Sequence, residues 1–144
     1  MFQRILIACD GRPESEAALR EGVGLARALK AEVVIFGICT IDAAILIAEA
    51  NAPSDLPARI AEEFRGDLEA EATGLREAGM VVQVHWTESE RGETICAAAE
   101  ETKADLVVIG HRHKSALQNL YDPSKEHSIL NRMPCSVLVV GNRG

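Results

Sequence analysis

Aromatic residues are scarce in this chain: three Phe, one Tyr and one Trp among 144 residues. So few rings leave no platform on which single-stranded bases could stack. Basic residues are outnumbered, 15 against 22 acidic, and the formal net charge is -7. Such a chain lacks the basic face that grips nucleic acid or anionic lipid, so neither is expected as a partner. No apolar run reaches the roughly 18 to 20 residues that a membrane helix needs. The first run, residues 5–9, is also too short for a signal peptide, and the expected location is the cytoplasm. Cys9, Cys39, Cys96 and Cys135 form no C-x-x-C pair. They read as buried, reduced thiols rather than as disulfides or a metal cluster. No internal repeat, linker or low-complexity tract divides the chain, and its length suits one domain, residues 1–144, with a buried core.

What the sequence does hold is five short aliphatic runs, which predict strands over 4–9, 32–39, 80–87, 105–110 and 135–140. The first, second, fourth and fifth are near-continuous in Ile, Val and Leu, as strands buried on both faces are. In the third, Val82, Val84 and Trp86 alternate with Gln83, His85 and Thr87, the mark of a half-exposed edge strand. Between the runs lie helical periods. Residues 15–30 direct Ala18, Leu19, Val23, Leu25, Ala26 and Leu29 to one face. Residues 56–78 do the same with Ile60, Phe64, Leu68 and Leu75, and stop at Gly79. A third helix is expected over 92–103, with Ile95, Ala98 and Ala99 inward. A fourth is expected over 124–133, from Ser124 as N-cap to Pro134 as terminator. Residues 41–55 read either as a short helix or as a mobile lid. Strands alternating with helices make an α/β fold, a doubly wound parallel sheet with helices on both faces and right-handed crossovers.

Ligands of such sheets sit at the carboxyl ends of the strands, where the strand order reverses. The residues there are "CDGRPES", "ICTID" and "GHRH". Asp10 reads equally as an acceptor for a ligand's amino or hydroxyl group and as a turn residue capping the first helix. Cys9 beside it is expected to be inert, because apolar surroundings and a neighbouring carboxylate raise a thiol pKa. Ser15, Ser115 and Ser128 stand in no G-x-S-x-G nucleophile elbow. His111 and His113 would point to the same side of an extended segment, with His127 or Asp122 near enough in sequence to join them. H-x-H without spaced third and fourth ligands is a weak metal signature. The run Glu62, Glu63, Asp67, Glu69 and Glu71 is the solvated face of the second helix.

The segments "RILIACDGRPESEAALREGVGLARALKAEVVIFGIC", "ETKADLVVIGHR" and "ILNRMPCSVLVV" resemble the universal stress protein (UspA-like) family, in order and with matching spacings. The resemblance implies a five-stranded, adenine nucleotide alpha hydrolase-like sheet of order 3-2-1-4-5. It also implies a homodimer formed through the last strand, here 135–140, and a role in stress response. ATP-binding members carry G-x2-G-x9-G-[S/T] after the fourth strand. Laid onto this chain, that motif falls on Gly110, His113, Pro123 and Ser124. Two of the three glycines are missing. Proline has no N–H to offer a phosphate, and His113 adds bulk where backbone should approach. Against that, Asp10 matches the family's adenosine-contacting aspartate and Ile38 the residue whose backbone meets adenine. Ser124 keeps the hydroxyl, and Arg112, His113 and Lys114 could supply cations. The leading expectation is a non-enzymatic dimeric module with no certain cofactor, which does not hold ATP in the usual way and acts on a protein partner or small ligand. Two alternatives stand beside it. One is an ATP- or AMP-binding member, at most a slow ATPase, using Asp10, Ile38, Gly110, Arg112, His113 and Ser124. The other is a metal- or small-ligand-binding protein centred on His111 and His113.

Overall fold

The aliphatic runs become strands because β-branched side chains fit a pleated, buried surface. In the computed structural model, which describes residues 1–11, 13–39, 56–88, 92–110 and 132–141, these are β1 (Arg4–Cys9), β2 (Glu32–Ile38), β3 (Val82–Thr87), β4 (Leu106–Gly110) and β5 (Ser136–Val140). They pair in parallel as one sheet of order β3-β2-β1-β4-β5, the order that the resemblance implies. Three helices lie among the described residues: α1 (Pro13–Leu29), α2 (Leu56–Glu77) and α3 (Gly92–Thr102). Residues 124–131 of the fourth expected helix and the segment 41–55 lie outside the described residues.

Strand alternation sorts the core into two layers. Ile5, Ile7 and Cys9 of β1 meet Ala18, Val23 and Ala26 of α1 and Leu68, Ala72 and Leu75 of α2. Leu6 and Ala8 face the other way, toward Ile95, Ala98 and Ala99 of α3. The topology requires this division. β1, β2 and β3 step in one direction, so right-handed crossovers put α1 and α2 on one face. The return to β4 puts α3 on the other.

Three expectations need correction. α1 begins at Pro13 rather than Ser15, since proline's missing N–H costs nothing in a first turn. Ile60 is 43% exposed rather than inward. At 1.5 Å per residue the 22 residues of α2 run about 33 Å, while six or seven strand residues cover about 20 Å. The start of α2 therefore overhangs the sheet. Lastly, β5 is not buried on both faces. It is one of the sheet's two outer strands, and Leu138 and Val139 are 38% and 37% exposed.

Each helix ends in the same way. The Met80 amide donates to the Leu75 carbonyl at 3.0 Å, and Gly79 (φ 91°) donates to Arg76. Ala31 to Ala26 and Ala104 to Ala99 repeat the long bond at 2.8 and 2.9 Å. This is the Schellman arrangement, which needs a left-handed residue after the helix. Gly79 supplies it once. Lys30 (φ 56°) and Lys103 (φ 57°) supply it elsewhere, at some steric cost.

The amino ends of the strands are tied by one carboxylate and one guanidinium. Asp105 accepts from the amides of Gln3 (2.8 Å) and Arg4 (3.0 Å). The Arg4 side chain donates to Glu32 at 2.8 Å and to the Thr102 carbonyl at 2.6 Å. The opposite, carboxyl end is left for binding.

Candidate functional site

The strand order reverses between β1 and β4, so the crevice of a doubly wound sheet opens there. Cys9 is level with Gly37 of β2. Carrying the register one residue further sets Asp10 beside Ile38, the last residue of its strand. The β1–β4 register pairs Ile7 with Val108, so two residues on Cys9 is level with Gly110. Asp10, Ile38 and Gly110 thus come together at three neighbouring strand ends. Arg112, His113 and Ser124, together with His111, lie outside the described residues.

The turn after β1 is braced from α1. The Asp10 amide donates to Ser15 Oγ at 3.3 Å, and Ser15 is buried. Gly11 follows with φ 81°, a left-handed conformation that glycine adopts without strain. The sequence presents Ser15 only as a nucleophile to be weighed and set aside. Its structural part, as acceptor for the turn's backbone, has no local signature.

Gly110 has a structural duty of its own. A Cβ there would lie 2.6 Å from the carbonyl carbon of Glu14 and closer still to its oxygen. The end of β4 runs directly under the first turn of α1, and only glycine lets the two backbones approach so closely. The surviving glycine of the phosphate motif is therefore explained by packing alone.

Aromatic side chains border the crevice on the β2–β3 side. Phe64 of α2 reaches the turn after β1, where a Cβ on Gly11 would meet its ring at 3.3 Å. Phe64 and Trp86 meet edge to face, with centroids 5.9 Å apart. The Trp86 ring fills the space that a side chain on Gly37 would need. The Arg65 guanidinium stands 5.6 Å from the Trp86 centroid. In sequence Phe64 is one member of an apolar stripe, and nothing local sets it beside Asp10.

The thiols are quiet. Burial, helped by Asp10 and Glu71, pushes Cys9 up to about 12, the direction expected from its neighbours. Burial also raises Cys39, with Arg65 opposing and Glu88 adding. All four cysteines are free, but only Cys9 and Cys96 are buried as expected; Cys39, just past the end of β2, and Cys135, just before the edge strand β5, are partly exposed. Among the described residues no cluster of three His, Cys, Asp or Glu side chains could hold a metal, and no buried side-chain nitrogen or oxygen lacks a partner. The described part of the crevice therefore holds no orphaned polar atom that demands a ligand. What it offers is one carboxylate, strand-end backbone, and a turn with positive φ.

A family model described as "Universal stress protein family" matches residues 1–141. Universal stress protein YxiE of Bacillus subtilis (strain 168) is 26% identical over 148 residues, covering 97% of this chain and 99% of that protein. Two solved structures share the fold. One is the universal stress protein from Archaeoglobus fulgidus in complex with dAMP, with TM-score 0.60, 18% identity, and 95% and 96% of the two chains covered. The other is a universal stress protein in complex with cAMP, with TM-score 0.58, 21% identity, and 96% and 97% covered.

Proposed function

Because this chain belongs to the universal stress protein family, we propose that it is a stress-response module that works by binding and pairing rather than by catalysis, and that it does not hold ATP in the family's usual way. The observation that carries this is the seat of Gly110 under Glu14. Only that glycine of the motif stands, and its packing accounts for it without a phosphate. At the other two glycine positions the sequence has His113 and Pro123. Neither gives a phosphate the close backbone approach that glycine allows, and proline has no amide to offer. Titration calorimetry tests this directly. Millimolar MgATP should give no saturable heat. Micromolar binding that vanishes in Asp10→Ala would overturn it.

A second reading keeps an adenine nucleotide, ATP or AMP, held at its nucleoside end by Asp10 and Ile38 and at its phosphate end by Ser124. In its favour are the register that sets Asp10 beside Ile38 and the cAMP and dAMP complexes of proteins with this fold. AMP titrated in the same calorimeter separates the two, since this reading requires heat that Asp10→Ala removes.

Pairing is proposed through β5. Among the described residues that strand hydrogen-bonds only to β4, and it exposes Leu138 and Val139. An open apolar edge of this kind invites a second strand. Light scattering should give a mass near twice 15.5 kDa, and Leu138→Lys with Val139→Lys should halve it. The setting proposed is the cytoplasm, which suits four free thiols. Among the described residues no helix is long and apolar enough to cross a membrane.

A further inference from the structure

α1 and α2 share one face of the sheet but leave a groove of about 580 Å³ between them. Its floor is apolar: Cys9, Leu19, Val23, Phe64, Leu68 and Leu75. Its walls carry opposite charge. Arg20 and Arg27 line the α1 side, below Glu16 at the upper end, and Asp67 and Glu71 line the α2 side. Among the described residues none of these four makes an ion pair or hydrogen bond across the gap. Two helices pressed together with such walls would close them into pairs. Here the walls stand apart over a hydrophobic floor.

The dimensions indicate what fits. The lining runs from Ser15 to Arg27 on α1 and from Phe64 to Leu75 on α2, which is about 16–18 Å, or three turns, on each side. A three-turn helix about 10 Å across fills on the order of 1,300 Å³, so the groove accepts a little under half of its girth. That is the seating of an amphipathic helix in a groove, apolar stripe down and polar back in solvent.

We propose that this groove is a docking site for an amphipathic helix of a partner protein, carrying carboxylates along the flank that meets Arg20 and Arg27 and lysine or arginine along the flank that meets Asp67 and Glu71. Its leucines or equivalents cover Leu19, Val23, Leu68 and Leu75. The upper end of the groove is Cys9 and Gly11, so a seated helix abuts the turn that carries Asp10. The site is independent of whether the crevice takes a nucleotide.

Gly24 supplies a clean test. It lines the groove, and a Cβ there meets nothing within 4 Å. A leucine at that position enters the groove while improving the helix, so Gly24→Leu folds and blocks. The probes are three labelled helical peptides with one leucine stripe, flanked by glutamate on one side and lysine on the other, by glutamate on both, or by lysine on both. By fluorescence anisotropy the mixed peptide should bind about tenfold more tightly than either uniform one. Gly24→Leu should weaken it at least tenfold with no loss of thermal stability. Arg20→Glu with Arg27→Glu, which makes both walls acidic, should move the preference to the all-lysine peptide. Equal binding of all three peptides, or unchanged binding by Gly24→Leu, would overturn the proposal. So would a groove that takes a small amphiphile such as dodecylphosphocholine and no peptide.

Discussion

Replacing Gly110 by alanine asks whether the first motif glycine serves packing or a phosphate. The new methyl carbon would stand 2.6 Å from the Glu14 carbonyl carbon, with the oxygen nearer still, where ordinary contact needs about 3.5–4.0 Å. Both atoms belong to backbone in the first turn of α1, so no side chain can swing aside. Either α1 lifts or β4 bends, by about an ångström. Overpacking of this kind costs about 1–3 kcal/mol. Taking about 2 kcal/mol, the melting temperature of a chain this long falls by about 4–8 °C, and the urea midpoint by about 1 M. Circular dichroism during thermal and urea unfolding reads both. Gly24→Ala is the control: it lies on the open face of the same helix, and should stabilise by up to about 1 kcal/mol. If Gly110→Ala melts with the parent protein, the packing account is wrong. A glycine kept for a phosphate would leave stability intact on replacement and change only nucleotide affinity.

Asp105→Ala removes a carboxylate that accepts two amide bonds, and should lower unfolding free energy by about 1–3 kcal/mol; Asp105→Asn, keeping one acceptor, should lose less, and equal urea midpoints for all three proteins would contradict the network. Lys103→Gly relieves a left-handed residue, so the melting temperature should rise by about 2–4 °C, corresponding to about 1 kcal/mol; no rise would mean that the cap is unstrained. The unfolded Cys9 thiol ionises near 9 and the folded one holds its proton up to about 12. Stability is therefore full below about pH 9, and is lost as pH climbs toward 12, at up to about 1.4 kcal/mol per pH unit. Cys9→Ala should lack that share of the alkaline loss in paired urea titrations, and identical pH profiles would refute the assignment.

Features set by neighbours along the chain are legible in the sequence itself. The alternation of Val82, Val84 and Trp86 marks an edge strand, and β3 is one. Gly79 marks a helix end, and it carries the left-handed cap. Asp10 and Gly110 follow from their places at strand ends. What escapes depends on distant partners. Ile60 keeps the helical period of Phe64 and Leu68, yet periodicity cannot say where the sheet beneath stops. Lys30 and Lys103 hold a conformation for which lysine gives no local sign. The contact between Gly110 and Glu14 joins residues far apart in sequence, so the glycine is readable only through a motif. The α1–α2 groove is invisible for the same reason, since its walls are the polar edges of two separately periodic helices.

The single tryptophan of the chain sits where α2 meets the sheet, against Gly37, in edge-to-face contact with Phe64 and beneath Arg65. Its emission is consequently a one-site optical signal with no background from other indoles. Any event that lifts α2, whether a helix entering the groove or a ligand pressing on the turn after β1, changes the water around one known ring. The protein carries its own reporter beside α2, next to Phe64 and Arg65, and stopped-flow fluorescence can time such a movement without a label.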